Sequence, residues 1–164
     1  MEIRKLTTDD RTAFFLLTDL IVSHLPKKEW LIPLTIEEAE RVFQEDSMDT
    51  IIGVFIGRQL IATAGLFVDT SEFTNMPEGA DTDPRDTREI GECLVHPSYR
   101  GAGLMVMLCR RLIDQARRTG VRTIFATSHP NNQPSQHSLA NVGFKNLKTF
   151  SRRGFKRSFL RLDL

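Results

Sequence analysis

Glu89-Ile90-Gly91-Glu92-Cys93-Leu94-Val95-His96-Pro97-Ser98-Tyr99-Arg100-Gly101-Ala102-Gly103-Leu104 is the stretch on which the reading of this chain turns. Glu89 to Val95 has the composition of a strand, and His96-Pro97-Ser98-Tyr99 turns the chain. A loop with two glycines then leads into a helix predicted from about Gly103 to Thr119. Glycines at such a junction adopt angles other residues avoid and let the main chain approach a ligand closely. The unpaired amides of the helix start converge on one point, with the helix dipole behind them. That combination binds anions, phosphate above all. Arg100 adds a full positive charge. A nucleotide P-loop needs a Gly-Lys-Ser/Thr ending, which is absent. A dinucleotide fingerprint needs a third glycine where Val106 stands, and needs the first strand rather than the fourth.

Working outward, Glu2 to Leu6 reads as a first strand and Thr7-Thr8-Asp9-Asp10 as a helix start. Ala13, Leu17, Leu20, Ile21 and Leu25 recur at helical spacing until Pro26. Thr35-Ile36-Glu37-Glu38 fits a capping box for a second, short helix. Ile51–Ile56 and Leu60–Val68 read as a hairpin. Asp69 to Arg88 reads as a long structureless loop, and loops of that length are often functional. A strand over Thr123–Thr127, a short helix ending at Gly143, and strands over Phe144–Phe150 and Phe159–Leu164 complete the chain. The order β-α-α-β-β-β-α-β-α-β-β makes this a mixed α/β fold, expected to be a single domain over residues 1–164.

The composition, 40% hydrophobic and 26% charged, is that of a globular protein. No segment reads as a membrane span or signal peptide, so a cytoplasmic location is the expectation. Cys93 and Cys109 sit in apolar contexts and read as reduced, buried thiols. The four histidines have no metal-ligand spacing, so no metal is expected. Charge is segregated. Residues 1–92 carry 9 Lys/Arg against 19 Asp/Glu, a balance of −10; residues 93–164 carry 13 against 2, a balance of +11. A basic half can attract a polyanion and an acidic half a cation, or both can be solvated faces. A nucleic-acid partner is not expected, because the basic part lacks interleaved aromatics and a recognised motif.

The segment Arg100-Gly101-Ala102-Gly103-Leu104-Met105, after a strand ending in Val95-His96-Pro97, resembles the pyrophosphate signature of the GNAT acetyltransferase superfamily. Asn132, a short helix and Gly143-Phe144 resemble its second signature. Met105 departs from the pattern, standing where a small residue is usual. The resemblance implies a central, mostly antiparallel twisted sheet with helices on both faces. It also implies an N-acetyltransferase that moves an acetyl group from acetyl-CoA to a primary amine. The acceptor is left open among small molecules, polyamines and protein amines, as is the length of the acyl group. By the same resemblance, main-chain groups of Leu94 and Val95 pair with the pantetheine arm. Arg100, Gly101, Ala102, Gly103, Leu104, Met105 and Val106 hold the pyrophosphate, and Asn132 lines the far side of the arm. Similar proteins often form homodimers. A non-enzymatic coenzyme A-binding module on the same fold is the alternative.

Transfer to an amine needs a base, because the free amine and not the ammonium attacks. Glu89 and Glu92 are the candidates, and the resemblance favours Glu89, nearer the start of the strand. Their odd spacing predicts opposite faces unless a bulge intervenes. Many relatives place a tyrosine in the helix before Gly-Phe to protonate the departing thiolate. Leu139 occupies that position here; Ser138, His137 or water are the substitutes considered. The acidic residues of Asp69–Arg88 are expected to flank the acceptor groove and draw in a cationic amine. Arg152, Arg153, Lys156 and Arg157 read as a solvated hairpin tip or as ligands of the adenosine 3′-phosphate.

Overall fold

The computed structural model describes residues Met1–Leu164. The strands β1 (Glu2–Lys5), β2 (Thr50–Ile56), β3 (Gln59–Phe67), β4 (Thr87–Val95), β5 (Thr123–Ser128), β6 (Lys145–Arg152) and β7 (Phe155–Asp163) form one seven-stranded sheet. Their order is β1-β2-β3-β4-β5-β7-β6. All neighbours are antiparallel except β4 and β5. Parallel neighbours need a crossover, here the helix α4 (Leu104–Arg118). Helices α1 (Arg11–Ser23) and α2 (Ile36–Phe43) cover one face. Helices α4 and α5 (Gln133–Asn141) cover the other.

The apolar pattern explains the layering. β2 and β3 are apolar at nearly every position and buried on both faces. On one side Phe14, Leu17 and Ile21 of α1 meet Ile51, Phe55 and Leu94 of the sheet. On the other, Leu108, Leu112 and Ala116 of α4 meet Val54, Ala62 and Ile90. The capping box of α2 is formed. The Glu38 amide donates to Thr35 Oγ1 at 3.1 Å, and the Thr35 amide donates to Glu38 Oε2 at 2.8 Å.

The segment from Asp69 to Arg88 is ordered, which corrects the expectation of a structureless loop. It holds a one-turn helix, α3 (Ser71–Thr74), and two 3-10 turns, at Pro77–Gly79 and Pro84–Asp86. Phe73 anchors it, fully buried and stacked on Phe159 at 5.3 Å. Most of its acids are also tied down. Glu72 pairs with Arg152, Glu78 with Lys148, and Asp81 with Arg161 at 2.7 Å. Together with Glu38–Arg153 and Glu89–Arg152, these pairs join the acidic and basic parts of the chain. Part of the charge segregated in sequence is therefore spent within the fold. Arg152 and Arg157 are not a solvated tip; both are largely buried.

Candidate active site

Two distortions of β4 make the site. The first is a splay. β4 and β5 pair only from Thr87–Thr123 to Ile90–Ala126, after which Gly91 to Val95 has no strand on its β5 side. The second is a bulge. β3 pairs with β4 at Thr63–Leu94 and Gly65–Gly91, with the register shifting between them. Glu92 sits in the bulge at φ 49, and the Thr63 hydroxyl donates to its carbonyl at 2.8 Å, pinning it. The neighbouring pair leaves little room for side chains: a Cβ on Gly65 would lie 2.6 Å from the ring of Phe67, and one on Gly91 would lie 3.3 Å from it.

A cavity of about 450 Å³ opens at the splay. Gly91 to Leu94 and Phe67 line the sheet side, and Met105, Asn132, Ser135 and Leu139 the α4–α5 side. Trp30, Leu34 and Glu38 come from the segment between α1 and α2 and from α2 itself. Arg152, Arg153 and Arg157 come from the β6–β7 hairpin.

Because of the bulge, Glu89 and Glu92 both line this cavity, which corrects the expectation of opposite faces. Their surroundings differ. Glu89 receives two hydrogen bonds from Arg152, Nη1 to Oε1 at 2.6 Å and Nη2 to Oε2 at 3.2 Å. Burial pushes its pKa up while the Arg152 charge opposes. Arg152 loses by burial but gains more from Glu89 and Glu72, and is held above its ordinary value. Glu92 has no cationic partner in contact, and its buried Oε2 has no hydrogen-bond partner at all. Burial first, then the charges of Glu89 and Glu38, push Glu92 up to about 8, against the weaker lowering effects of the Leu34 main-chain amide and the Arg153 charge.

The turn after β4 carries a second feature. His96 Nδ1 accepts from the Ser98 amide at 3.1 Å, which shapes the 3-10 turn Pro97–Tyr99. Gly101 and Gly103 then take left-handed φ values of 79 and 74. A Cβ at Gly103 would have no heavy atom within 4 Å, so the glycine serves the backbone angle. Beyond Arg100, the first amide to find a backbone acceptor is that of Met107, which donates to Gly103 at 3.0 Å. The six consecutive amides from Gly101 to Val106 donate to no backbone carbonyl. Arg100, Gly101, Ala102 and Gly103 are exposed and lie outside the cavity, Leu104 is buried in the core, and Val106 is half-buried.

The remaining positions divide. Leu94 is buried and Val95 half-buried, with the main chain of both on the splayed edge. Met105 packs against the core while lining the cavity. Asn132 caps α5, its Oδ1 accepting from the Ser135 amide at 3.3 Å, and also lines the cavity. Leu139 is buried at the wall. His137 and Ser138 do not reach the cavity; the hydroxyl residues that do include Ser128 and Ser135. Trp30, which sequence reasoning did not single out, and Arg157, which it offered only as a hairpin-tip residue or a ligand of the 3′-phosphate, both line the cavity, because the hairpin packs against the α1–α2 segment.

The chain belongs to the acetyltransferase (GNAT) family, whose model matches residues 11–144. No curated protein matches the chain in sequence. Among solved structures it is similar to an N-acetyltransferase from Staphylococcus aureus Mu50, at 22% identity and a TM-score of 0.75, over 99% of this chain and 97% of that one. It is also similar to yncA from Salmonella typhimurium, solved with its cofactor acetyl-CoA, at 20% identity and a TM-score of 0.74, over 99% and 93% of the two chains. A third is aminoglycoside acetyltransferase AAC(6′)-Ib with coenzyme A and kanamycin, at 20% identity and a TM-score of 0.71, over 98% and 93%. At these identities the likeness is one of fold.

Proposed function

We propose that this chain transfers an acetyl group from acetyl-CoA to a primary amine, with Glu92 as the base. The observation that carries the base assignment is the unpartnered Oε2 of Glu92, a buried carboxylate oxygen on the cavity wall. The residues fit the donor. The six free amides from Gly101 to Val106, at a helix start behind two left-handed glycines, suit a diphosphate. Arg100 adds charge, and the splayed edge of β4 at Leu94 and Val95 offers main-chain groups to an extended amide-bearing arm. Asn132 and Met105 would flank that arm. When bound, acetyl-CoA supplies an activated thioester carbonyl.

The acceptor enters at the other end, beside Glu38, Glu72 and the β6–β7 hairpin. Glu92 takes a proton from its ammonium, so that a neutral nitrogen meets the carbonyl. A base with a pKa near 8 is closer in proton affinity to an amine than an ordinary carboxylate is. Glu89, ion-paired with Arg152, holds the hairpin in place and raises Glu92. A main-chain amide on the free edge of β4 polarises the carbonyl oxygen. Overall the nitrogen–acetyl bond forms and the carbon–sulfur bond breaks. The leaving sulfur gains a proton that Leu139 cannot give, and the hydroxyls of Ser128 and Ser135 line the wall where one is needed.

Thiol release from acetyl-CoA, followed over a panel of amines, tests this reading. Turnover of at least one amine, reduced about 100-fold or more in Glu92→Gln, is expected. Binding of acetyl-CoA with no turnover of any amine overturns it in favour of a non-enzymatic coenzyme A-binding module.

A further inference from the structure

Three charged residues on the cavity wall are buried as whole residues: Glu89, Glu92 and Arg157. Glu89 is neutralised by Arg152, and the neighbouring Arg153 is paired with Glu38 at 3.1 Å. Arg157 has no such partner. It is 3% exposed, and its only hydrogen bonds are to main-chain oxygens. Nη1 donates to the Lys156 carbonyl at 2.8 Å and Nη2 to the Glu29 carbonyl at 2.7 Å. A guanidinium has five N–H groups, so several remain to be used. The carboxylate of Glu29 is turned elsewhere, 3.5 Å from His129 Nε2. Burial and then the nearby Arg152 charge work against Arg157 carrying its proton, and the charge of Glu29 opposes them only in part.

Trp30 repeats the pattern. It follows Glu29, whose carbonyl Arg157 holds, and it lines the same cavity. Its ring is fixed by stacking on the buried His129, with centroids 5.9 Å apart and planes at 20°. Its indole Nε1 is buried and has no hydrogen-bond partner. The wall thus holds a buried cation whose only partners are neutral carbonyls, and a buried indole N–H with no acceptor at all. A buried cation without an anion and a buried N–H without an acceptor are both costly and rare, and a single carboxylate answers both.

We propose that the acceptor carries, besides its amine, a carboxylate bound by Arg157 and the indole N–H of Trp30. This rests on the transferase reading and deepens it. Among the buried charges of the cavity, Glu92 is then the one acid without a cation, left for the ammonium, and Arg157 the one cation without an acid, left for the carboxylate. A cavity of about 450 Å³, shared with the end of the acyl-donor arm, holds a molecule of amino-acid size. The substrate class is therefore free amino acids rather than polyamines.

The test is thiol release by the whole chain with acetyl-CoA and matched acceptor series: amino acids, their carboxamides and the corresponding decarboxylated amines. At least one amino acid should exceed its decarboxylated amine in kcat/KM by about 10- to 100-fold, the worth of a buried charge-assisted contact. Arg157→Gln should collapse that ratio toward one. Trp30→Phe keeps the ring and removes only the N–H, and should lower the ratio about threefold to tenfold. It carries the test if Arg157→Gln does not fold. The ratio matters because a merely structural role for either residue would depress all acceptors alike. Decarboxylated amines or carboxamides used as well as amino acids would overturn the proposal while leaving an amine acetyltransferase standing. So would a ratio unmoved in both variants, or in Trp30→Phe alone should Arg157→Gln not fold. Failure with every amine, carboxylated or not, would instead remove the transferase reading beneath it.

Discussion

Replacing Glu92 by Gln should change the pH dependence of stability in a direction opposite to its effect on activity. Glu92 is buried, its Oε2 lacks a partner, and its pKa is pushed from 4.5 up to about 8. A folded-state pKa above the unfolded one means that the folded chain holds a proton the unfolded chain has released. The contribution of Glu92 to stability is complete below about pH 4.5 and is lost as the pH rises through about 8. Each unit of the shift corresponds to about 1.4 kcal/mol, so the whole span amounts to roughly 4–5 kcal/mol. Gln resembles the protonated carboxyl in size and does not titrate. Its amide N–H, lacking an acceptor, costs about 1–3 kcal/mol at every pH. Urea unfolding of both proteins at pH 5.5 and pH 9 separates the two effects. Relative to wild type, Glu92→Gln should gain a few kcal/mol between the lower and the higher pH, while its turnover falls about 100-fold or more. An equal stability difference at both pH values would refute the reasoning, because Glu92 would then titrate alike in the folded and unfolded chains.

Other outcomes follow from the same geometry. The kcat/KM of the wild-type chain should rise with pH through about 8 as Glu92 loses its proton, and Glu92→Gln should lack that limb. Arg152→Ala strands the buried Glu89 and should cost about 3–5 kcal/mol in chemical denaturation. Arg153→Ala removes an exposed ion pair with Glu38 and should cost under about 1 kcal/mol. Phe73→Ala empties the centre of the Phe73–Phe125–Phe159 cluster and should cost about 3–5 kcal/mol, loosening the Asp69–Arg88 segment with it.

What the sequence made legible was local. The capping box at Thr35, the glycines of the Arg100–Leu104 turn and the order of the elements apart from α3 depend on near neighbours, and they stand in the structure as read. The bulge at Glu92 was not legible, because it exists only in the pairing of β4 with β3 and in the Thr63 hydroxyl that holds it, 29 positions away. That single irregularity decides which carboxylates share the cavity. The same holds for the salt bridges between the acidic and basic parts. Arg152 and Glu72 are 80 positions apart, so composition could report the charges but not that they meet. Phe73, in a run rich in Asp, Thr, Pro and Gly, looked like part of a loop; its burial depends on a space left by Phe125 and Phe159. The shared place of Arg157 and Trp30 on one cavity wall was not legible either, because it depends on the hairpin closing against the α1–α2 segment.

Six consecutive main-chain amides without acceptors, from Gly101 to Val106, are the feature on which the functional account stands. Isothermal titration of the chain with acetyl-CoA tests it most directly, with Gly103→Val as the control. Valine disfavours the left-handed angle of 74 at that position by about 1–2 kcal/mol without meeting any neighbour. The account predicts one site per chain, with affinity weakened about tenfold or more in the variant. No heat of binding at millimolar acetyl-CoA, or equal affinity in both proteins, would contradict it.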